Sequence, residues 1–250
     1  MDSRIEQYHA LDAARFARER LGFRPDARQS DLLRRAPRRV LLNCTRQWGK
    51  STVTAARALH KAYFWPRSLT LVVTPGQRQS AEFMTKASAF LRELEIKKRG
   101  DGVNAVSILL PNESRIVGLP GNEATVRGFS RVSLLIVDEA ARVDDDLFRA
   151  VQPMLAVGDG EQWVMSTPFG REGFFYEEWM HGSAEWERVS VTAATCPWIP
   201  RKHLDEVRAR LGEAWYRQEY FCEFGDAEDA LVSWEVLDRM WSAEWPDLGL

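Results

Sequence analysis

The sequence predicts an α/β domain in which helices flank a central, mainly parallel sheet. Three observations predict it: four short apolar runs without polar alternation, helix-forming stretches around them, and polar or glycine-containing sequence at the end of each run. Strands buried on both faces read as continuous hydrophobic runs, and helical crossovers between such strands make a parallel sheet. A chain of 250 residues is long enough to bury a large core as one α/β unit.

Residues 5–20 read as one helix with Leu11 and Phe16 turned inward, broken at Gly22. A second helix is expected over 25–35, because Pro25 suits a helix start and Pro37 ends it. The buried strands are 40–43, 70–74, 134–137 and 163–166. Helices are expected over 51–63 and 77–94, and a hairpin over 105–119 turning at Pro111-Asn112-Glu113. Two further helices, 201–211 and 213–221, close the layered domain.

Composition excludes several classes. No apolar run reaches the roughly 20 residues that a membrane-crossing helix needs, and Met1-Asp2-Ser3-Arg4 lacks the plan of a signal peptide. An intracellular protein is expected. Cys44, Cys196 and Cys222 are odd in number and widely spaced, which predicts buried free thiols, no disulfide and no structural metal. A net charge of −2 argues against coating nucleic acid by bulk electrostatics. Charge is nonetheless uneven, with ten arginines in the first forty residues and twelve acids against six bases in the last fifty. That asymmetry fits a basic patch, a head-to-tail contact with a neighbour, or a solvated helical face.

The strand at 40–43 runs into Cys44-Thr45-Arg46-Gln47-Trp48-Gly49-Lys50-Ser51, and helix-forming sequence continues from Thr52. A phosphate loop has glycine, four residues, then Gly-Lys-Ser/Thr; here Cys44 stands at the first glycine. The physics survives the substitution. Gly49 lets the backbone curl, and N–H groups from Thr45 to Thr52 point at an anion on the helix start. Lys50 reaches the β- and γ-phosphates, and the Ser51 hydroxyl suits Mg²⁺. A cation such as Arg46 inside this loop is costly unless it faces anions or a carboxylate, the alternative being a surface arginine. Trp48 is expected to pack on the outside of the loop.

The apolar strand 134–137 ends in Asp138 and Glu139. Chemistry in open parallel sheets gathers at the carboxyl ends of strands. Asp138 there would hold the Mg²⁺ shell and Glu139 would polarise an attacking water as general base. The competing reading, two acids capping a helix, weakens beside the phosphate loop, because one sheet edge would hold both motifs.

With these motifs in place the sequence resembles the large terminase subunit of tailed bacteriophages over nearly its whole length. The resemblance is carried by Arg46-Gln47 before Gly49-Lys50-Ser51, by Asp138-Glu139-Ala140-Ala141, and by Ser166-Thr167-Pro168 with Gly170, which looks like a coupling motif. Phe23-Arg24-Pro25 with Gln29 is similar to an adenine-recognition segment, and Gln218-Glu219-Tyr220 with Glu223-Phe224 to the segment closing the ATPase domain. Gln29 can offer adenine a donor and an acceptor, or it is a helix surface residue. Ser166 and Thr167 reach the γ-phosphate or Glu139, or they merely start a turn at Pro168. The resemblance implies Arg127 as the finger reaching a neighbour's ATP, with Arg46 sensing phosphate in its own subunit. The reverse assignment, or a DNA contact for Arg127, stays open.

What the resemblance implies is a RecA-like (ASCE) P-loop NTPase whose ATP and Mg²⁺ chemistry drives packaging of double-stranded DNA into a procapsid in the bacterial host cytoplasm. Its implied partners are DNA, the small terminase subunit, the portal protein and further copies of itself in a ring. The ATPase motor domain is expected over 1–225, with an adenine-recognition segment at 1–39, the core at 40–200 and closing helices at 201–225. Residues 226–250, with Asp226, Glu228 and Asp229, read as a linker or the start of an absent nuclease domain, so no nuclease activity is expected in this chain. A helicase-type DNA-dependent ATPase and a non-catalytic nucleotide-binding scaffold are the alternatives.

Overall fold

A computed structural model describes residues 3–104, 106–121, 128–196 and 198–225. Helices α1 (Ser3–Leu11), α2 (Ala13–Arg20) and α3 (Ala27–Arg35) precede β1 (Arg39–Cys44) and α4 (Lys50–Phe64). Then come β2 (Leu69–Thr74), α5 (Gln77–Glu93), β3 (Ser107–Leu109), β4 (Arg115–Pro120) and β5 (Leu134–Asp138). The chain continues through α6 (Asp145–Val151), β6 (Glu161–Ser166), α7 (Gly173–Met180), β7 (Glu187–Val191), α8 (Arg201–Leu211) and α9 (Glu213–Phe221).

The seven strands form one sheet in the order β3-β4-β2-β5-β6-β1-β7. Every pairing is parallel except that of β3 with β4, the expected hairpin. Both faces of the sheet are covered, which is why its central strands show no alternation. Leu42 of β1, Ile136 of β5 and Met165 of β6 pack with α2–α5, while Leu41, Val137 and Val164 pack with Phe148 of α6 and Phe175 of α7. No described helix is long and apolar enough to cross a membrane. The three cysteines are buried and free.

Three expectations are corrected. The first helix is two helices, because Asp12 caps the second by accepting the Arg15 N–H at 2.9 Å. Leu11 sits at that break and is 83 % exposed, whereas Phe16 is buried as expected. Pro25 lies outside α3, which starts from an Asp26–Gln29 capping box. The sequence pattern gives no sign of helices α6 and α7 or of the edge strand β7, where exposure alternates because one face meets solvent: Arg188 and Ser190 are exposed while Val189 and Val191 turn inward. The arginine-rich start is largely internally paired: Arg15 with Glu19, Arg34 with Asp12, Arg35 with Glu187, Arg38 with Asp159 and Arg39 with Glu185. Four of those five pairs cross between segments, so these arginines help dock the N-terminal helices and the start of β1.

Candidate active site

The loop after β1 turns on two left-handed residues, Gln47 (φ 65°) and Gly49 (φ 91°). Gly49 caps α4 and needs the conformational freedom that only glycine offers cheaply. Cys44 does not, because it is the last residue of β1, paired with Val191, with its side chain in the core. A side chain is therefore tolerated where the general pattern has glycine. Lys50 is buried inside the curl, its Nζ donating to the carbonyls of Cys44 at 3.0 Å and Thr45 at 3.4 Å.

Trp48 does not line the cleft but packs behind the loop, against the start of α3. It is 0 % exposed, and its indole N–H donates to Asp26 Oδ2 at 3.0 Å. Beside it, Gln29 is 2 % exposed, which removes the surface reading. The Gln29 amide accepts the Asp26 N–H at 3.0 Å and donates to the Trp48 carbonyl at 2.7 Å. Among the described residues one N–H and one lone pair of that amide take no partner. The loop is thus held from below by α3 through two side chains. From the other side, Trp198 donates to the Gln47 carbonyl at 2.7 Å.

The second motif lies at the same sheet edge. Strand β6 runs between β1 and β5, pairing Asn43 with Ser166 and Asp138 with Met165. Asp138 is buried, and burial together with the neighbouring Glu139 charge pushes its carboxyl up to about 6; the Ser51 hydroxyl and Lys50 act against that rise. Glu139 adopts a left-handed backbone (φ 54°), which turns its side chain out of the strand into the cleft. The Ser166 hydroxyl accepts the Ala141 N–H at 3.1 Å and so holds this turn. The Thr167 hydroxyl is buried without a hydrogen-bond partner among the described residues.

The closing helix completes the site. Glu219 of α9 is 2 % exposed, and its carboxylate takes Arg46 from the loop and Arg142 at 3.5 Å. Its backbone carbonyl accepts the Thr45 hydroxyl at 3.0 Å, and Asn43 donates to the Cys222 carbonyl at 2.9 Å. Arg46 therefore meets the carboxylate that its position demands. The resulting cleft, about 540 Å³, has Gly49, Lys50 and Ser51 on one wall and Glu139 and Arg142 on another. Gln79, Glu82 and Lys86 of α5 supply a third wall that the motifs did not reveal. Their spacing of three and four along one helix face was the available signal. Thr52 lies in the first turn of α4, and Arg127 lies outside the described residues, as do 226–250.

Residues 41–245 match the family described as terminase large subunit, T4-like-virus type, N-terminal. The large terminase subunit of Thermus virus P23-45 is 25% identical over 255 residues, covering 86% of this chain and 52% of the relative. The chain spans about half the length of the curated relatives it matches. Among solved structures, the large terminase ATPase domain of Thermus phage P74-26 superposes with a TM-score of 0.72 at 23% identity, covering 84% of this chain and 97% of that domain. The large terminase of bacteriophage D6E, solved with ADP, gives 0.64 at 10% identity over 86% of this chain and 52% of that one. At these identities the superpositions establish the RecA-like fold.

Proposed function

The chain belongs to the terminase large subunit family of T4-like-virus type, and from that premise we propose that it is an ATP-hydrolysing motor domain driving double-stranded DNA into a procapsid. One observation carries the reading. A single sheet edge brings together a buried lysine in a phosphate-loop curl, Ser51, and two adjacent carboxylates at the end of β5. Those are the parts that phosphoryl transfer to water requires.

Each residue has a role by its chemistry. The loop N–H groups and Lys50 receive the phosphates of ATP, and the amide of Gln29 keeps one donor and one acceptor complementary to an adenine edge. Asp138 suits a divalent cation, since a buried carboxylate beside a second negative charge is stabilised by one. Ser51 and Asp138 would hold Mg²⁺, which when bound neutralises charge on the β- and γ-phosphates. Glu139 takes a proton from the attacking water, and Arg46 supplies a cation within the subunit. Arg127 is the finger offered to a neighbour, which makes a head-to-tail ring the working assembly. Ser166 and Thr167 couple the turn after β5 to the next segment. Portal protein, small terminase subunit and DNA are the partners, met in the host cytoplasm.

Phosphate release with Mg-ATP, measured under single-turnover conditions, tests the reading. Glu139→Gln should retain ATP binding within about threefold and slow hydrolysis by roughly 10²–10⁴-fold, the usual contribution of a positioned base. Hydrolysis at the unaltered rate would remove Glu139 from the chemistry.

A further inference from the structure

Three residues after Glu139, Arg142 touches three parts of the molecule at once. Its Nη1 lies 3.4 Å from Glu139 Oε2, and its Nη2 lies 3.5 Å from Glu219 Oε1 of the closing helix. Its guanidinium carbon stands 4.5 Å from the centre of the Phe169 ring, which follows Ser166-Thr167-Pro168. The intervening chain is a single 3₁₀ turn, Ala140–Arg142, closed by Arg142 N–H to the Glu139 carbonyl at 2.9 Å and pinned by the Ser166 hydroxyl. Glu139 enters that turn in the left-handed region, so its side-chain direction depends on the turn being held.

We propose that Arg142 is a positioning residue for Glu139, tying its carboxylate to the closing helix α9 through Glu219 and to the Ser166–Gly170 segment through Phe169. The inference rests on Glu139 being the general base. A planar guanidinium can present separate N–H groups to two carboxylates while its face lies on an aromatic ring; an ammonium is a point donor and cannot span them in the same way. Glu219 is suited to transmit helix position because it is buried and fastened to the phosphate loop by its backbone as well as its carboxylate. Docking of α9 therefore fixes one end of Arg142, and Arg142 fixes where Glu139 points. Displacing a reacting group by about 1 Å is enough to cost on the order of 100-fold in rate.

The test uses the whole chain, with single-turnover ATP hydrolysis and ATP affinity measured separately. Arg142→Ala should lower the hydrolysis rate by roughly 10- to 100-fold with ATP affinity within about threefold of the unaltered protein. Arg142→Lys should recover only a minor part of the rate, and Arg142→Gln, which keeps a planar end group, serves if the alanine variant does not fold. Glu219→Gln should slow hydrolysis in the unaltered background but have a smaller effect when Arg142 is already alanine. An unchanged rate in Arg142→Ala, full recovery by lysine, or strictly additive losses with Glu219→Gln would overturn the proposal. Loss of ATP affinity in parallel with rate would also overturn it, by making Arg142 a phosphate contact. Glu139→Gln in the same assay separates the two readings: if it hydrolyses ATP normally, the base assignment has failed, whatever Arg142 does.

Discussion

Replacing Asp138 with asparagine should make the metal-free protein more stable while abolishing its chemistry. Asp138 is buried, and its carboxyl is raised from 3.8 to about 6 by burial and by Glu139. A native pKa above the unfolded one means that the folded chain holds the proton more tightly. The stabilising effect of that proton is complete below pH 3.8 and lost as pH rises through 6. A rise of about two pKa units corresponds to about 3 kcal/mol, so at pH 8 the ionised carboxylate costs the fold that much. Asparagine carries no charge, and its carbonyl can still accept the Glu139 N–H that Asp138 Oδ1 accepts at 2.9 Å. Asp138→Asn should therefore gain up to about 3 kcal/mol at pH 8, or roughly 6–12 °C in a chain of this size. The difference should shrink between pH 6 and pH 4 and vanish below pH 4. Thermal and urea unfolding at five pH values with a chelator present would measure it. With Mg²⁺ and nucleotide the order should reverse, since a cation stabilises only the carboxylate. A variant less stable than the parent at pH 8, or a difference independent of pH, would refute the electrostatic account.

Gln29→Ala leaves the Asp26 N–H and the Trp48 carbonyl without their partner, so urea unfolding should show a loss of about 1–3 kcal/mol, accompanied by weaker ATP binding. His60, buried and held as the neutral tautomer between Arg57 at 3.1 Å and the His9 carbonyl at 2.9 Å, has its imidazole pushed down to about 3 by burial and by Arg57. Its contribution to stability is full above pH 6.5 and lost as pH falls through 3. His60→Gln should therefore flatten the acid limb of the urea midpoint over that range, and an unaltered acid limb would count against it.

Much of the site was legible in the sequence because its signals are local. The runs at 40–43 and 134–137 announce buried strands, Gly49-Lys50-Ser51 announces an anion cradle, and Asp138-Glu139 ends an apolar run. A parallel sheet then brings such strand ends to one edge, whatever the order of the strands. What depends on residues far apart in the chain left no such trace. Nothing near Arg46 in the sequence foretells Glu219, 173 positions away, and the i,i+3 spacing of Glu139 and Arg142 is too common to signal a bridge to α9. What Trp48 packs against left no local trace either, because its partner, Asp26, lies on a segment whose capping box only the folded chain presents.

The α/β class, the phosphate-loop pattern and the pair of acids ending β5 are written in neighbouring residues, since periodicity and backbone chemistry act within a few positions. That β6 stands between those two motifs, that Ser166 holds the turn after Asp138, and that α9 closes over the loop through Glu219 became visible in the folded chain alone. Strand order, burial and charge pairing are set by which surfaces meet when the layers pack, and that is a property of the whole chain.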